Sequence, residues 1–234
     1  MIGVDWDRAA AQIQSGQPIC LYDFPDREDE TDVVYIGQKV TPAQVDFIRR
    51  VVGGPLAVYL LGGFLQRLGI CTFVELVRSQ RPSGALGGLV DHDRDHDPCF
   101  AISVDARDNR TGCSPLESAY TVNVLYELVV GSDGMSQEDL VREFAKRLVS
   151  PGHVPIVRAA DTLLLGRRGH AELALTLAQM LGVPEIVVAG ELTDPVAFTS
   201  MKPDVARGFA QEWGLPLLSG DDILRRASGY SAHK

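Results

Sequence analysis

Helix-start signatures recur along this chain, and short apolar runs rich in β-branched residues lie between them. Thr41-Pro42-Ala43-Gln44 places a capping hydroxyl before a proline at the first helical position, with Val45, Ile48, Val51 and Val52 following at helical spacing. Ser114-Pro115-Leu116-Glu117 is a capping box that predicts a helix from Pro115 to about Val130, and Ser136-Gln137-Glu138-Asp139 opens another to about Leu148. Further helices are predicted over 5–15, stopped by Gly16, and over 73–78, 173–181, 203–213 and 221–227. Strands are predicted over 18–22, 32–36, 56–61, 100–104, 154–158, 162–165, 185–189 and 215–218. Gly53-Gly54-Pro55 is expected to close a helix, Ser83 to Gly88 to be mobile, and Asp105 to Gly112 and Ser150 to His153 to form turns. Strands alternating with helices, without internal repeat or low-complexity linker, predict one α/β domain over 1–234.

With 234 residues of which 45% are hydrophobic, the chain can bury a proper core. The 22 basic against 31 acidic side chains give a formal charge of -9, and no Lys/Arg block occurs, so binding built on a phosphate backbone is disfavoured and no nucleic-acid partner is expected. No stretch approaches the roughly 20 apolar residues of a membrane span. The start MIGVDWDRAA has neither a basic n-region nor an apolar h-region, so a soluble cytoplasmic protein without a membrane partner is expected. Cys20, Cys71, Cys99 and Cys113 are scattered without a C-x-x-C pair, which indicates neither a zinc knuckle nor a disulfide framework. The absence of G-x-G-x-x-G, a Walker loop and G-x-S-x-G removes the commonest nucleotide and hydrolase readings.

Chemistry collects first in Asp23-Phe24-Pro25-Asp26-Arg27-Glu28-Asp29-Glu30-Thr31-Asp32, between two predicted strands. Carboxylates packed so densely repel one another unless a cation joins them, and hard cations take such oxygens; on this decapeptide alone a solvated acidic hairpin, which shows the same composition, is the preferred reading. His153, in its Pro-Gly turn, and Arg167-Arg168-Gly169-His170-Ala171-Glu172, with Glu191 beyond the next strand, are the other two constellations. Each lies at a strand end or helix start, where α/β sheets hold ligands, so one shared site is expected. Together with Glu28 they offer metal ligands, a base near neutral pH and a phosphate clamp, which points to chemistry on a phosphorylated substrate. His92 and His96, in Asp91-His92-Asp93-Arg94-Asp95-His96-Asp97, are read as part of a solvated loop rather than as a metal pair.

These residues match a known pattern. Asp26-Arg27-Glu28-Asp29-Glu30-Thr31-Asp32 resembles the D-R-E-x-E-x-D signature of the 3,4-dihydroxy-2-butanone 4-phosphate synthase family, and Ser150-Pro151-Gly152-His153 resembles its R/S-P-G-H turn. The likeness continues, in order, through Thr111-Gly112, the 167–172 turn and Glu191-Leu192. It implies a single-domain mixed sheet covered by helices, and a lyase that makes the four-carbon precursor of riboflavin's xylene ring from ribulose 5-phosphate, releasing formate. It also implies Mg²⁺ or Mn²⁺ and a homodimer with active sites near the subunit interface. By position Glu28 and His170 would be metal ligands; Asp23, Glu30, Asp32, His153 and Glu191 would hold substrate hydroxyls or move protons; Arg27, Thr111 and Arg167 would bind substrate or its phosphate.

The departures from that pattern cluster at the phosphate end. Ala171 stands where the family has the threonine of its H-T-E turn, Ser118 where S-x-x-D-R has its arginine, and Leu56-Ala57-Val58-Tyr59 on the family's Cys-bearing strand. Losing one hydrogen bond there is worth on the order of 1 kcal/mol, which weakens binding without forbidding it. The alternatives are therefore an ordinary synthase, a diverged paralogue that rearranges another sugar phosphate, or a non-catalytic anion-binding protein.

Overall fold

A computed structural model describes residues 6–81, 83–91 and 99–231. His92 and His96 lie outside the described residues. The strands are β1 (Ile19–Tyr22), β2 (Thr31–Ile36), β3 (Gly53–Leu60), β4 (Phe100–Ala106), β5 (Leu148–Arg158), β6 (Ile186–Leu192) and β7 (Leu217–Ser219). They form a mixed seven-stranded sheet in the order β4-β5-β3-β6-β2-β1-β7, with β1–β7 and β3–β5 parallel and the other neighbours antiparallel.

The helices that cover the sheet are α1 (Trp6–Gln14), α2 (Pro42–Phe47), α3 (Gly62–Arg67), α4 (Phe73–Ser79), α5 (Ala85–Val90), α6 (Pro115–Gly131), α7 (Gln137–Arg147), α8 (His170–Leu181), α9 (Pro203–Glu212) and α10 (Gly220–Ser231). The capping signatures set their starts. Thr41, Thr72 and Ser114 each accept from the backbone N–H three residues on, while the side chain at that third position reaches back to the cap. At Ser136 half of the expected box forms: the hydroxyl accepts from Asp139, whose carboxylate takes the hydroxyl proton rather than a backbone N–H.

Because side chains alternate across a strand, each face of the sheet has its own core. One face carries Leu56, Val58, Leu60, Val154, Ile156, Ile186 and Val188 against Val122, Leu125 and Leu128 of α6. The other carries Ile19, Leu21, Val34, Ile36, Val187 and Ala189 against Leu173, Leu175 and Leu177 of α8, all at most 1% exposed. Continuing that second alternation by one or two steps puts Asp23, Asp32 and Glu191 on the α8 face, at the end where α8 begins.

Several local expectations are corrected. Gly53 does not end an α-helix but closes a π-helical turn, Ile48–Val52, in the left-handed conformation at φ +93°, and β3 starts there at once. Residues 85–88, within the 83–88 segment expected to be mobile, belong to helix α5. Asp105 and Ala106 extend β4 instead of opening a turn. Residues 163–165 form a 3₁₀ turn, Leu163–Leu165, where a strand is predicted; its three leucines carry no alternation to tell strand from helix. Residues 150–153 lie inside the continuous strand β5, where the register jumps from Val104↔Val154 to Asp105↔Val149 and the intervening residues bulge out. The bulge needs Gly152, since a Cβ there would stand 2.0 Å from the Val104 carbonyl carbon.

Candidate active site

Asp23 organises the acidic loop. Its buried carboxylate accepts from the backbone N–H groups of Glu28 and Glu30, both at 3.1 Å, and from the Arg27 guanidinium at 3.1 Å. Arg27 also donates to Glu28 Oε2 at 2.6 Å, and Tyr22 donates to Asp29 at 2.8 Å. The loop therefore curls around its own carboxylate and points Glu28 and Glu30 inward.

The first residue of α8, His170, meets them there. His170 Nδ1 lies 3.2 Å from Glu28 Oε2 and Nε2 lies 3.2 Å from the Glu30 carbonyl oxygen. One donor atom each from Asp23, Glu28 and His170 fall within 4.8 Å of one another, a set of two carboxylates and an imidazole that fits a divalent cation. Burial works against the Glu28 anion, but hydrogen bonds from His170 and Arg27 and their charge outweigh it and hold the carboxyl at about 2. Burial also works against the His170 cation, yet the charge of Asp32, the hydrogen bond to Glu28 and the charge of Asp23 raise it to about 9. Without a metal the imidazolium is thus the local cation, and a metal must displace its proton to be ligated.

Beside this trio stand three more carboxylates. Glu30, Asp32 and Glu191, the last two opposed in the β2–β6 pair, line a cleft of about 320 Å³ with Arg27, Glu28, Arg167 and His170. Burial raises Glu30, with Ser200's hydrogen bond opposing and the charges of Glu191 and Glu28 adding. Burial likewise raises Asp32, which is 4% exposed. Pairs of carboxyls whose surroundings differ are what general acid–base chemistry needs.

Sequence reasoning missed several residues here. Ser200 Oγ lies 2.7 Å from Glu30 and 2.6 Å from Glu191, and Tyr59 Oη donates to Asp32 at 2.6 Å; neither has a sequence signal. Glu172 is fully buried and accepts from Gly169 N at 3.0 Å and Ala160 N at 2.8 Å, so it fixes the start of α8 and the approach to Arg167. The capping-box spacing from Gly169 is the signal that could have found it. Cys99 also lines the cleft, in contact with Arg167. Arg167 in turn lies 3.9 Å from Glu28.

Two sequence-predicted residues do not join the cleft within one chain. His153 sits on the β5 bulge, its Nδ1 2.7 Å from Asp105 Oδ2 and its backbone N–H donating to Asp105 Oδ1 at 3.1 Å. Asp105 thereby fixes the ring's orientation; it was missed because residues 105–112 read as a turn. Thr111 lies in the turn before α6, donating its hydroxyl to Glu117 at 2.9 Å. Backbone N–H groups of Thr111 and its neighbours, with the Ser114 and Thr111 hydroxyls, hold Glu117 at about 2.

Comparisons with known proteins place the chain in a family. Residues 7–226 match the family model described as 3,4-dihydroxy-2-butanone 4-phosphate synthase. The chain is 32% identical to the 3,4-dihydroxy-2-butanone 4-phosphate synthase of Methanosarcina acetivorans over 93% of its length and 89% of the relative's, and 29% identical to that of Methanothermobacter thermautotrophicus over 92% and 93%. Among solved structures, a 3,4-dihydroxy-2-butanone 4-phosphate synthase in complex with two magnesium ions superposes with a TM-score of 0.74 at 22% identity, covering 95% of this chain and 96% of that one. The chain belongs to the 3,4-dihydroxy-2-butanone 4-phosphate synthase family.

Proposed function

We propose that this protein is a lyase that converts ribulose 5-phosphate to 3,4-dihydroxy-2-butanone 4-phosphate and formate, supplying the four-carbon unit of riboflavin, with Mg²⁺ or Mn²⁺ bound by Glu28 and His170. The observation that carries this reading is the convergence, in one cleft, of Glu28 and His170 from the metal-fitting trio with three more carboxyls in unlike surroundings and two arginines, Asp23 completing the trio from behind the cleft wall. A bound divalent cation makes the hydroxyl-bearing carbons beside the ketone more acidic. Glu30, Asp32 and Glu191 then take and return protons at those carbons and at the departing hydroxyl, while Asp23 holds the loop in shape. Arg27 and Arg167 receive the phosphate. The atoms of the five-carbon sugar phosphate are conserved in the two products, so no redox partner is required.

His153 and Thr111 enter through assembly. Neither lines the cleft of its own chain, so their roles, a proton carrier and a phosphate contact, call for a homodimer in which each copy brings them to the other's cleft. Mixing two inactive variants, Glu28→Gln and His153→Ala, then restores activity through hybrids with one intact site; no recovery after subunit exchange removes that arrangement. Formate release from ribulose 5-phosphate, with Mg²⁺ and again with chelator, tests the reaction. No formate at any metal concentration overturns it.

One observation favours a second reading. Ala171, 6% exposed and lining the cleft at the start of α8, offers no hydroxyl at the anion end, and Ser118 lacks the family's arginine. A paralogue acting on a differently substituted sugar phosphate fits that change. Turnover of another pentose or tetrose phosphate at a higher kcat/KM than ribulose 5-phosphate would identify it.

A further inference from the structure

We propose that Tyr59 is a positioning residue for the reaction, its hydroxyl pinning one oxygen of Asp32 so that the other faces the substrate. The inference rests on the proposed reading of the cleft, in which Asp32 handles substrate protons. Tyr59 lies on β3 and Asp32 on β2, with β6 between them, and the phenol crosses that strand to donate to Asp32 Oδ2 at 2.6 Å.

The supports of the neighbouring carboxyls make this bond singular. Asp23 has three donors, and Glu30 and Glu191 share Ser200. Among the described residues Tyr59 is the one side chain or backbone group that hydrogen-bonds the Asp32 carboxylate. An anion that is 4% exposed and has a single donor depends heavily on it, because a buried charge without a partner is far more costly than a buried neutral pair. The ring borders the cleft beside Pro55 and Ala57 and packs on its other side against the core beneath α8, so the phenol is braced by packing as well as by its bond. Burial and the Asp32 charge raise the Tyr59 phenol well above its ordinary range, so it stays protonated and remains a donor at every working pH.

The groups facing Asp32 are His170 from α8, Tyr59 from β3, Glu191 from β6 and Glu28 from the acidic loop. Burial raises Asp32, the His170 charge and the Tyr59 hydrogen bond oppose that rise, and Glu191 and Glu28 add to it. Tyr59→Phe removes one opposing contact, keeps the ring, and leaves the three other groups in place.

Three readouts test the proposal. With ribulose 5-phosphate, Tyr59→Phe is expected to lower kcat roughly 10- to 100-fold, the effect of one hydrogen bond to a charged group, with KM changed less than about two-fold. The acidic limb of its kcat profile moves to higher pH, because one contact that opposes the rise at Asp32 is gone. In protein labelled with ¹³C at aspartate carboxyls, the Asp32 signal, identified by its absence from Asp32→Asn, titrates at higher pH in Tyr59→Phe than in wild type. An unchanged Asp32 titration overturns the proposal whatever happens to turnover, and so does an unchanged kcat in an active enzyme. A wild type that releases no formate removes the proposed reaction, while the carboxyl titration still decides the role of Tyr59. Should Tyr59→Phe fail to fold, Asp32→Asn supplies the reciprocal readout. The Tyr59 ring ¹³Cζ signal is then expected to titrate at lower pH than in wild type, and a fixed value refutes the coupling.

Discussion

Glu172 gives the sharpest test of how the site is held. Its fully buried carboxylate takes the Gly169 N–H with one oxygen and the Ala160 N–H with the other, tying the segment that carries Arg167 to the helix that begins with His170. Glu172→Ala leaves both donors without that partner, one buried and one partly buried. At a mid-range value of about 2 kcal/mol for each of the two unsatisfied groups the loss is about 4 kcal/mol. For a chain of this length 1 kcal/mol moves the midpoint by roughly 2–4 °C, so the midpoint of thermal unfolding by circular dichroism is expected to drop by roughly 8–16 °C. Glu172→Gln keeps one acceptor oxygen and is expected to lose about half as much. Because the tie sets where His170 begins its helix, both variants are also expected to weaken Mn²⁺ binding, measured by water-proton relaxation. A drop under about 2 °C for the alanine variant, or equal drops for alanine and glutamine, would refute the tie as the reason Glu172 is buried here.

Four other outcomes follow from the same geometry. Glu28→Gln is expected to abolish formate release and, because its carboxylate also pairs with Arg27 and His170, to lower the unfolding midpoint, though less than loss of Asp23, which organises the loop; a variant with more than a tenth of wild-type turnover contradicts its assignment as a ligand. Ala171→Thr supplies a hydroxyl at the anion end and is expected to lower KM for ribulose 5-phosphate several-fold, about 1 kcal/mol of binding; an unchanged or higher KM counts against position 171 as a phosphate contact. Ser200→Ala frees Glu30 and Glu191 from their shared hydroxyl and is expected to lower kcat about ten-fold, with recovery in Ser200→Thr; an alanine variant at wild-type rate ends that account. In chelated protein the Glu28 contribution is complete above its ordinary 4.5 and is lost as pH falls through about 2, while the His170 contribution is complete below 6.5 and is lost as pH rises through about 9. The pair therefore stabilises the chelated protein most between about pH 4.5 and 6.5, and a midpoint that rises steadily from pH 6.5 to 9 would contradict that sign.

Much of this site was legible in the sequence, for local reasons. The acidic loop announces itself because its ligands are contiguous, and Thr41, Ser114 and Ser136 mark helix starts because capping chemistry acts within four residues. The alternation that carries Asp23, Asp32 and Glu191 to the α8 face is equally local, since a strand's period needs no knowledge of its neighbours. What stayed hidden depends on contacts between distant segments. Asp105 and His153 are 48 residues apart and meet through a register shift between β4 and β5. Ser200 joins Glu30 across 170 residues. Tyr59 is an unremarkable strand tyrosine until the sheet order sets β3 two strands from β2. That His153 and Thr111 lie away from the cleft of their own chain was hidden for a related reason: sequence order says which motifs coexist, not which end of a sheet each reaches.

The acidic loop can exist without a cation because its charges are distributed rather than shared equally. Asp23 is spent on the loop's own backbone and on Arg27, and Asp29 is turned outward at φ +56° to Tyr22 and Lys202. Asp26 is exposed beside Arg168. That leaves Glu28 and Glu30 pointing into the cleft, where the His170 cation stands beside Glu28. A carboxylate already held at about 2 and an imidazole raised to about 9 form a site in which a metal exchanges with a proton instead of entering an empty field of negative charge. The loop's density of acid is thus a folding device at Asp23 and a ligand-presenting one at Glu28. Since the two roles fall on different residues, mutation can separate them: substitutions at Asp23 are expected to lower the unfolding midpoint and metal affinity together, and Glu28→Gln to lower affinity at least as far with a clearly smaller loss of midpoint; equal losses of midpoint would refute the division.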